Sequence, residues 1–492
     1  MHPFPTRRQS LWALAVLSGV GFIAFGTYLG RLGFYHDDYV LLEIMQGQAG
    51  ILGRLKALAA AGFAVRPFAL PEIVALHAFG GIQPAVYHHF LLFQSVASCF
   101  LFYVFLHRMI GEGLSLFSAA LALALPVQSA THLWFSATMQ TTALCLALAS
   151  LLAHQVWLES RRARWLAGSM LLFALSLGVY EAFILMPLLL GAGLFFLRRD
   201  AGASAREAAS SALRDIAPYG ALMLAAFLWH RFGYEALSGY AASRRMGLRL
   251  PVVLAVYRDA ALCLVREPFL LAALTFSSSM GELWLVGAAA GAAAWVARPR
   301  PAPRSLRVAA GMGATAFVAA YAPYAISGYA PQSLGIMSRT NGGGVLAAGI
   351  LAAAGLAALV IPLKGRTAAA LRGVLSASLL AACLWSDRYI CAGWAKAWSL
   401  QVKVLNGVSR HVRDLPGPAT IVLKNVPAYF RGATVFSDSE AWGFDAALRI
   451  RTGRKDLQGK ILRTLVPGER VYLYDYASDR LMQASVSAKP RA

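Results

Sequence analysis

Charge is scarce in this chain. Only 14% of its 492 residues are Asp, Glu, Lys or Arg, while 58% are hydrophobic. A soluble domain carries nearly twice that charged fraction, about 25%. The shortage, with a mean hydropathy of +0.57, excludes an ordinary water-soluble globule and makes a bilayer the expected solvent. Acid is scarcer still, 23 Asp and Glu against 45 Lys and Arg, for a net charge of +22. That surplus raises nucleic acid as a partner. The basic residues, however, fall in short gaps between apolar runs: Arg161, Arg162 and Arg164; Arg198 and Arg199; Arg298, Arg300, Arg304 and Arg307; Lys364, Arg366 and Arg372. This is the positive-inside pattern of cytoplasmic loops, so no nucleic acid is expected. The five cysteines, Cys99, Cys145, Cys263, Cys383 and Cys391, lack metal-ligand spacing. They read as buried small hydrophobes, with a meeting of Cys383 and Cys391 at the edge of an oxidising compartment as the alternative. Ionisable residues are also missing from the centres of the apolar runs, which argues against a channel or pump.

What the chain has is apolar length. Residues 11–29 (LWALAVLSGVGFIAFGTYL) are long enough to cross a membrane and follow Arg7 and Arg8. No small-residue cleavage site ends the run, so it reads as a retained first span. Further spans are expected at about 86–106, 114–133, 139–158, 165–180, 182–197, 216–232, 281–297, 307–326, 344–362 and 369–386. The total is about eleven, with the N-terminus cytoplasmic when every basic cluster is placed inside. Residues 30–85 then form a first external loop. Its stretch RPFALPEIVALHAFGG, broken by Pro67, Pro71, Glu72 and paired glycines, reads as a helix lying in the interface. No two-halves transporter repeat is visible.

Past residue 386 the composition turns polar. Alternating runs at 420–426 (TIVLKNV), 433–436 and 470–474 (RVYLY) read as strands, and 398–412 and 440–450 as helices. A polytopic α-helical membrane module, 1–386, is therefore expected to carry a small extracytoplasmic α/β domain, 387–492. That domain shows no Gly-rich phosphate loop, metal cluster or nucleophile elbow, so its default role is structural or substrate-shaping.

Several polar groups gather on the expected outer side. Asp37 and Asp38, beside His36 in YHDDY, are either functional acids or the solvated start of a loop capping a helix. Arg66 runs against the orientation trend and suits a phosphate, with snorkelling to lipid headgroups the alternative. Tyr87, His88 and His89 open the second span, as ligands or as interfacial packing. Tyr180 and Glu181 form a hairpin tip that would meet a metal, a sugar hydroxyl or an outer arginine. His132, Trp134 and Gln140 lie at another outer turn, with Trp134 read as an interface anchor. Arg244, Arg245, Arg249, Arg258, Arg266 and Arg339 leave a positive footprint for an anion or for anionic lipid. Together these groups suit an enzyme acting on a phosphate-linked, lipid-borne substrate.

The segment YHDDYVLL, an aspartate pair just after a first span, resembles the hallmark position of the GT-C superfamily of membrane glycosyltransferases. The stretches RPFALPEIVALHAFGGIQPAVYHHFLLFQSVASCFLFYVFLHRM, LALALPVQSATHLWFSATMQTTALCLALASLLA and LLFALSLGVYEAFILMPLLL are similar to bacterial relatives of the transmembrane-TPR O-mannosyltransferases. The resemblance spans roughly residues 10–200. The chain departs from that pattern where a His-Pro-x-His stretch is usual, keeping only His132, and where Tyr180 replaces a lysine. It carries no TPR array. The resemblance implies a polyprenyl-phosphate sugar as donor and a glycan, lipid or protein acceptor, at the outer face of a bacterial inner membrane. It implies Asp37 or Asp38 as catalytic base, with His36, Arg66, Tyr87, His88, His132, Tyr180, Glu181 and Arg339 around the substrates. A divalent cation, Mg or Mn, held by an aspartate and Glu181 is compatible with it but not required. The competing expectations are a lipid-linked-sugar flippase or transporter and a surface-glycan polymerase or ligase.

Overall fold

Long runs of Ala, Leu, Val and Phe leave a backbone in lipid no partner but itself, and such runs become helices. The computed structural model describes residues 1–229, 232, 249–275, 302–362, 365–437, 441–460 and 470–484. Among them, six helical stretches are long and apolar enough to cross a membrane: Arg7–Arg31, Pro84–Ile110, Phe135–Ser160, Glu181–Asp200, Pro303–Ser327 and Arg366–Val412. A seventh, Glu112–Ala124 with Pro126–Leu133, is bent by 54°. The bend has a local cause, because Pro126 cannot donate to the preceding turn and holds Leu125 extended.

Among the described residues, length and composition thus give six or seven of the expected eleven or so spans. The expected spans at 165–180 and 344–362 are helices Ala163–Val179 and Gly344–Leu359, of 17 and 16 residues. At 1.5 Å per residue each is about 25 Å long, short of a hydrocarbon core of about 30 Å. The span expected at 216–232 ends helix Ala205–Leu228, whose first half is polar. The span expected at 281–297, with Arg244, Arg245, Arg298, Arg300 and Lys364, lies outside the described residues. In the first loop, helices Asp37–Gln46, Gly50–Ala60 and Leu70–Gly80 are too short to cross. Helix Gly50–Ala60 exposes Ile51 and Leu52 and helix Leu70–Gly80 exposes Phe79, as helices lying on a bilayer do.

Basic and polar contacts divide the bundle into two ends. At one end the His2 amide donates to the Arg108 carbonyl, Arg108 pairs with Glu159, Arg198 pairs with Asp215, and Arg307 bonds Asp200 at 2.8 Å. At the other end the turn before Asp37 meets residues 134–136, Arg66 meets Glu181, and Arg339 meets Trp134. Of the clusters expected on the cytoplasmic side, Arg198 and Arg307 therefore share one end with Arg108, and the candidate site residues occupy the other.

The boundary expected at residue 387 falls inside a continuous 48-residue helix, Gly365–Val412. At about 70 Å it is more than twice the hydrocarbon thickness, so one part must leave the membrane. The domain it enters is α/β as expected. Strands β1 (Ala419–Lys424), β4 (Leu457–Lys460), β5 (Val471–Asp475) and β6 (Arg480–Ala484) form one sheet in the order β4-β1-β5-β6. The central β1 pairs parallel to β4 and β5, and its residues 419–422 are buried, as a continuous apolar run in a parallel sheet requires. Strands β2 (Tyr429–Phe430) and β3 (Ala433–Thr434) form a separate hairpin.

This domain is docked on the site end by specific contacts. Arg449 pairs with Glu43, and the Tyr39 hydroxyl donates to Gln401 Oε1 at 3.0 Å. The β2–β3 turn meets the loop before Arg339 backbone to backbone. A Cβ on Gly432 (φ +81°) would lie 2.8 Å from Leu334 Cβ, and one on Gly335 (φ +72°) would lie 2.8 Å from the Gly432 carbonyl oxygen. Gly432→Ala should therefore cost about 1–3 kcal/mol through strain and overlap. It should lower the melting temperature in detergent, whereas Gly355→Ala, with open space around it, should not. Equal melting temperatures would refute the tight contact.

Candidate functional site

The first helix ends and the chain turns through residues 32–36 into helix Asp37–Gln46. His36, just before it, has φ +50°, a conformation uncommon and strained for a residue with a Cβ. What holds it there is Asp38. Asp38 is completely buried, and its carboxylate accepts from the Ser136 amide (2.8 Å) and hydroxyl (2.6 Å) on one oxygen. The other oxygen accepts from the Tyr35 amide at 2.9 Å. Burial pushes this carboxyl up to about 7, those hydrogen bonds oppose the rise, and the neighbouring Asp37 adds to it. Asp37 is different. Its side chain is 40% exposed, and its Oδ1 lies 2.7 Å from His36 Nδ1, which donates to it. The two aspartates, indistinguishable in sequence, are a buried brace and an accessible carboxylate.

Trp134 carries the site onward. It is buried rather than anchored at an interface, correcting the sequence expectation, and its indole N–H donates to the Tyr35 carbonyl at 3.0 Å. The His36 ring meets its edge at 6.4 Å between centroids, and the Arg339 guanidinium sits 5.0 Å from the ring centroid. Arg339 belongs to the turn Ile336–Asn341, pinned where Gln140 Nε2 donates to the Arg339 carbonyl at 2.8 Å. Beyond it lie Arg66, Tyr180 and Glu181, which the structure brings together. Arg66 bonds both oxygens of Glu181 (3.0 and 3.3 Å) and stacks 4.3 Å from the Tyr180 centroid. Of the partners expected for Glu181, the outer arginine is the one present. Tyr324, not singled out in the sequence, lies within electrostatic reach of Tyr180, Arg339 and Glu181. Its buried hydroxyl has no hydrogen-bond partner among the described residues.

Three expected substrate-binding residues are enclosed instead. The Tyr87 hydroxyl donates to the Gly81 carbonyl (2.6 Å), and the ring packs on Phe34 and Phe135. His88 is fully buried with Nε2 2.8 Å from the Gly33 carbonyl oxygen. His132 stacks on Phe25 at 4.6 Å, bonds Ser95 and lines a small internal cavity of about 20 Å³. Each is turned into the bundle and bonded to a protein group there. Of the expected metal ligands, Asp37 is accessible, Asp38 is enclosed and Glu181 engages Arg66. Among the described residues no three His, Cys, Asp or Glu side chains are grouped to hold an ion.

Sequence reasoning missed Ser136, Tyr324 and Trp442, the last from the C-terminal domain, whose indole nitrogen is 3.5 Å from His36 Nδ1. Ser136 is a small hydroxyl amid apolar residues and carries no signal without its partner 98 positions away.

No family model matches the chain, and no curated protein matches it. Among solved structures, it is similar to the oligosaccharyltransferase of Archaeoglobus fulgidus tethered with an acceptor peptide, at 11% identity and a TM-score of 0.43. That alignment covers 91% of this chain but 64% of the other, so the chain spans less than two thirds of that protein. It is also similar to ArnT of Cupriavidus metallidurans bound to undecaprenyl phosphate, at 13% identity and a TM-score of 0.45, covering 92% and 86% of the two chains.

The pH response of Asp38 follows from its burial. Below 3.8 the carboxyl is protonated folded or unfolded; between there and about 7 only the folded state keeps the proton. Stability should thus fall as pH rises through that window, by at most about 1.4 kcal/mol per unit from this group. Melting curves from pH 4 to 8 should show a shallower slope in Asp38→Asn, and an unchanged slope would contradict the assignment.

Proposed function

We propose that this chain is a membrane glycosyltransferase of the GT-C type, moving a sugar from a polyprenyl-phosphate carrier to an acceptor hydroxyl with inversion. The observation that carries the reading is the continuous series Asp37, His36, Trp134, Arg339, with Tyr324, Glu181 and Arg66 beside it. It sets an accessible carboxylate and two guanidinium groups along one end of the bundle. The positive-inside rule supports a cytoplasmic assignment for the opposite, basic end, and in this reading the reaction occurs at the outer face of a bacterial inner membrane.

In this reading Asp37 is the base. It takes the acceptor's hydroxyl proton as the oxygen's electron pair attacks the anomeric carbon from the face opposite the phosphate. The bond between that carbon and the phosphate oxygen breaks, and the phosphate leaves with the electron pair. Arg339 neutralises the charge that develops there. Arg66, oriented by Glu181 and Tyr180, is the second cation, its fork held in a fixed plane. His36 holds the Asp37 carboxylate in one orientation, and Asp38, through Tyr35 and Ser136, holds the turn that carries both.

Purified protein offered a panel of radiolabelled polyprenyl-phosphate sugars should transfer from at least one, and transfer from none would overturn the reading. Asp37→Asn should lower kcat by at least about 10²-fold while the protein inserts and melts normally; full activity would remove Asp37 from the chemistry. Arg339→Ala should raise the donor KM, and an unchanged donor KM would argue against its phosphate role.

A further inference from the structure

Trp442 is the residue of the C-terminal domain that reaches the aspartate pair. It opens helix Trp442–Thr452 and is 41% exposed, an unusual state for the largest apolar side chain. Its ring meets the His36 ring edge-on at 5.5 Å. The next residue allows the close approach: a Cβ on Gly443 would lie 3.0 Å from the His36 carbonyl oxygen, a tighter contact than most side chains make. Arg449, paired with both Glu43 and Asp445, clamps the same helix to helix Asp37–Gln46. The helix start that carries the indole is therefore held against the turn of His36.

Its polar edge is equally specific. The indole nitrogen lies 3.5 Å from His36 Nδ1, the same atom that donates to Asp37 at 2.7 Å. An imidazole nitrogen that carries a proton has no lone pair left to accept one. While His36 serves Asp37, the indole N–H, aimed at that same nitrogen, thus makes no strong bond there. A flat apolar face, an N–H on its rim and an exposed carboxylate converge on one imidazole.

We propose that Trp442 is the platform on which a saccharide acceptor lies, its hydroxyl presented to Asp37. A sugar ring has a face of C–H groups bearing slight positive charge, which suits the negative face of an indole, and a rim of hydroxyls that suits the N–H and the carboxylate. A serine or threonine side chain has no such face. This rests on the glycosyl-transfer reading and narrows its acceptor to a carbohydrate.

The test is saturation-transfer NMR on the full-length protein in detergent. The probes are neutral trisaccharides built from hexose, N-acetylhexosamine or pentose units, and a Ser/Thr-rich peptide. Transfer to the ring C–H protons of at least one trisaccharide is expected, with affinity about tenfold weaker in Trp442→Ala. Trp442→Phe should recover most of the affinity, while Trp442→Leu, which keeps bulk without an aromatic face, should not; this pair decides the matter if the alanine variant misfolds. Saturation of none of the saccharides, equal saturation in Trp442→Leu, or saturation of the peptide instead would overturn the proposal. Because binding is read without turnover, its failure is distinct from a failure to transfer sugar from the polyprenyl-phosphate panel.

Discussion

The site end of this protein depends on the enclosed carboxylate of Asp38. Its bonds to the Ser136 amide and hydroxyl and to the Tyr35 amide join two segments almost a hundred residues apart. Breaking such a buried, fully bonded group leaves three donors without partners, a far larger penalty than the net worth of any one hydrogen bond. The strained turn at His36, the seat of Trp134 against the Tyr35 carbonyl and the exposure of Asp37 all follow from that brace. Strain at a single residue persists only where its surroundings over-determine it, and here they do.

The C-terminal domain belongs to the same construction. It reaches the bundle through a helix that does not end at the membrane, so its orientation is inherited from the longest rigid element in the chain. It then touches the two parts of the site that lie farthest apart in sequence. Gly443 and Trp442 lie against His36, and Gly432 lies against the loop that carries Arg339. A domain with no catalytic signature of its own thereby sets the relation between a carboxylate and a guanidinium.

The parts legible in the sequence were those written in local pattern. Apolar runs announced the crossing helices, alternation announced β1 and β5, and an acid pair after a span announced the turn that matters. Length was harder to read. Ala163–Val179 and Gly344–Leu359 have the composition of spans but are shorter helices, of 17 and 16 residues, and composition does not record helix ends. The long helix hid for the converse reason, because polarity changes along it while its backbone hydrogen bonding does not. Among the site residues, Arg66 with Glu181 was foreseen as a type of pairing, since each is a charge needing a partner in apolar surroundings. His88, His132 and Tyr87 look like site residues in sequence because polar aromatics stand out in a run of leucines. Their burial depends on rings from other elements that no local pattern reports.

Why two aspartates are adjacent is the remaining question, and helix geometry answers it. Consecutive residues on a helix point about 100° apart, so in the first turn of helix Asp37–Gln46 one carboxylate faces the Ser136 segment and the other faces out. Both gain from the positive end of the helix dipole. Two like charges this close oppose each other, however, and burial separates their roles: Asp38 is enclosed, its carboxyl pushed up by burial, while Asp37 is exposed. A single aspartate would have to choose between bracing the turn and facing the substrate. Paired on a helix, the brace takes the buried position and the charge is presented where a hydroxyl can reach it.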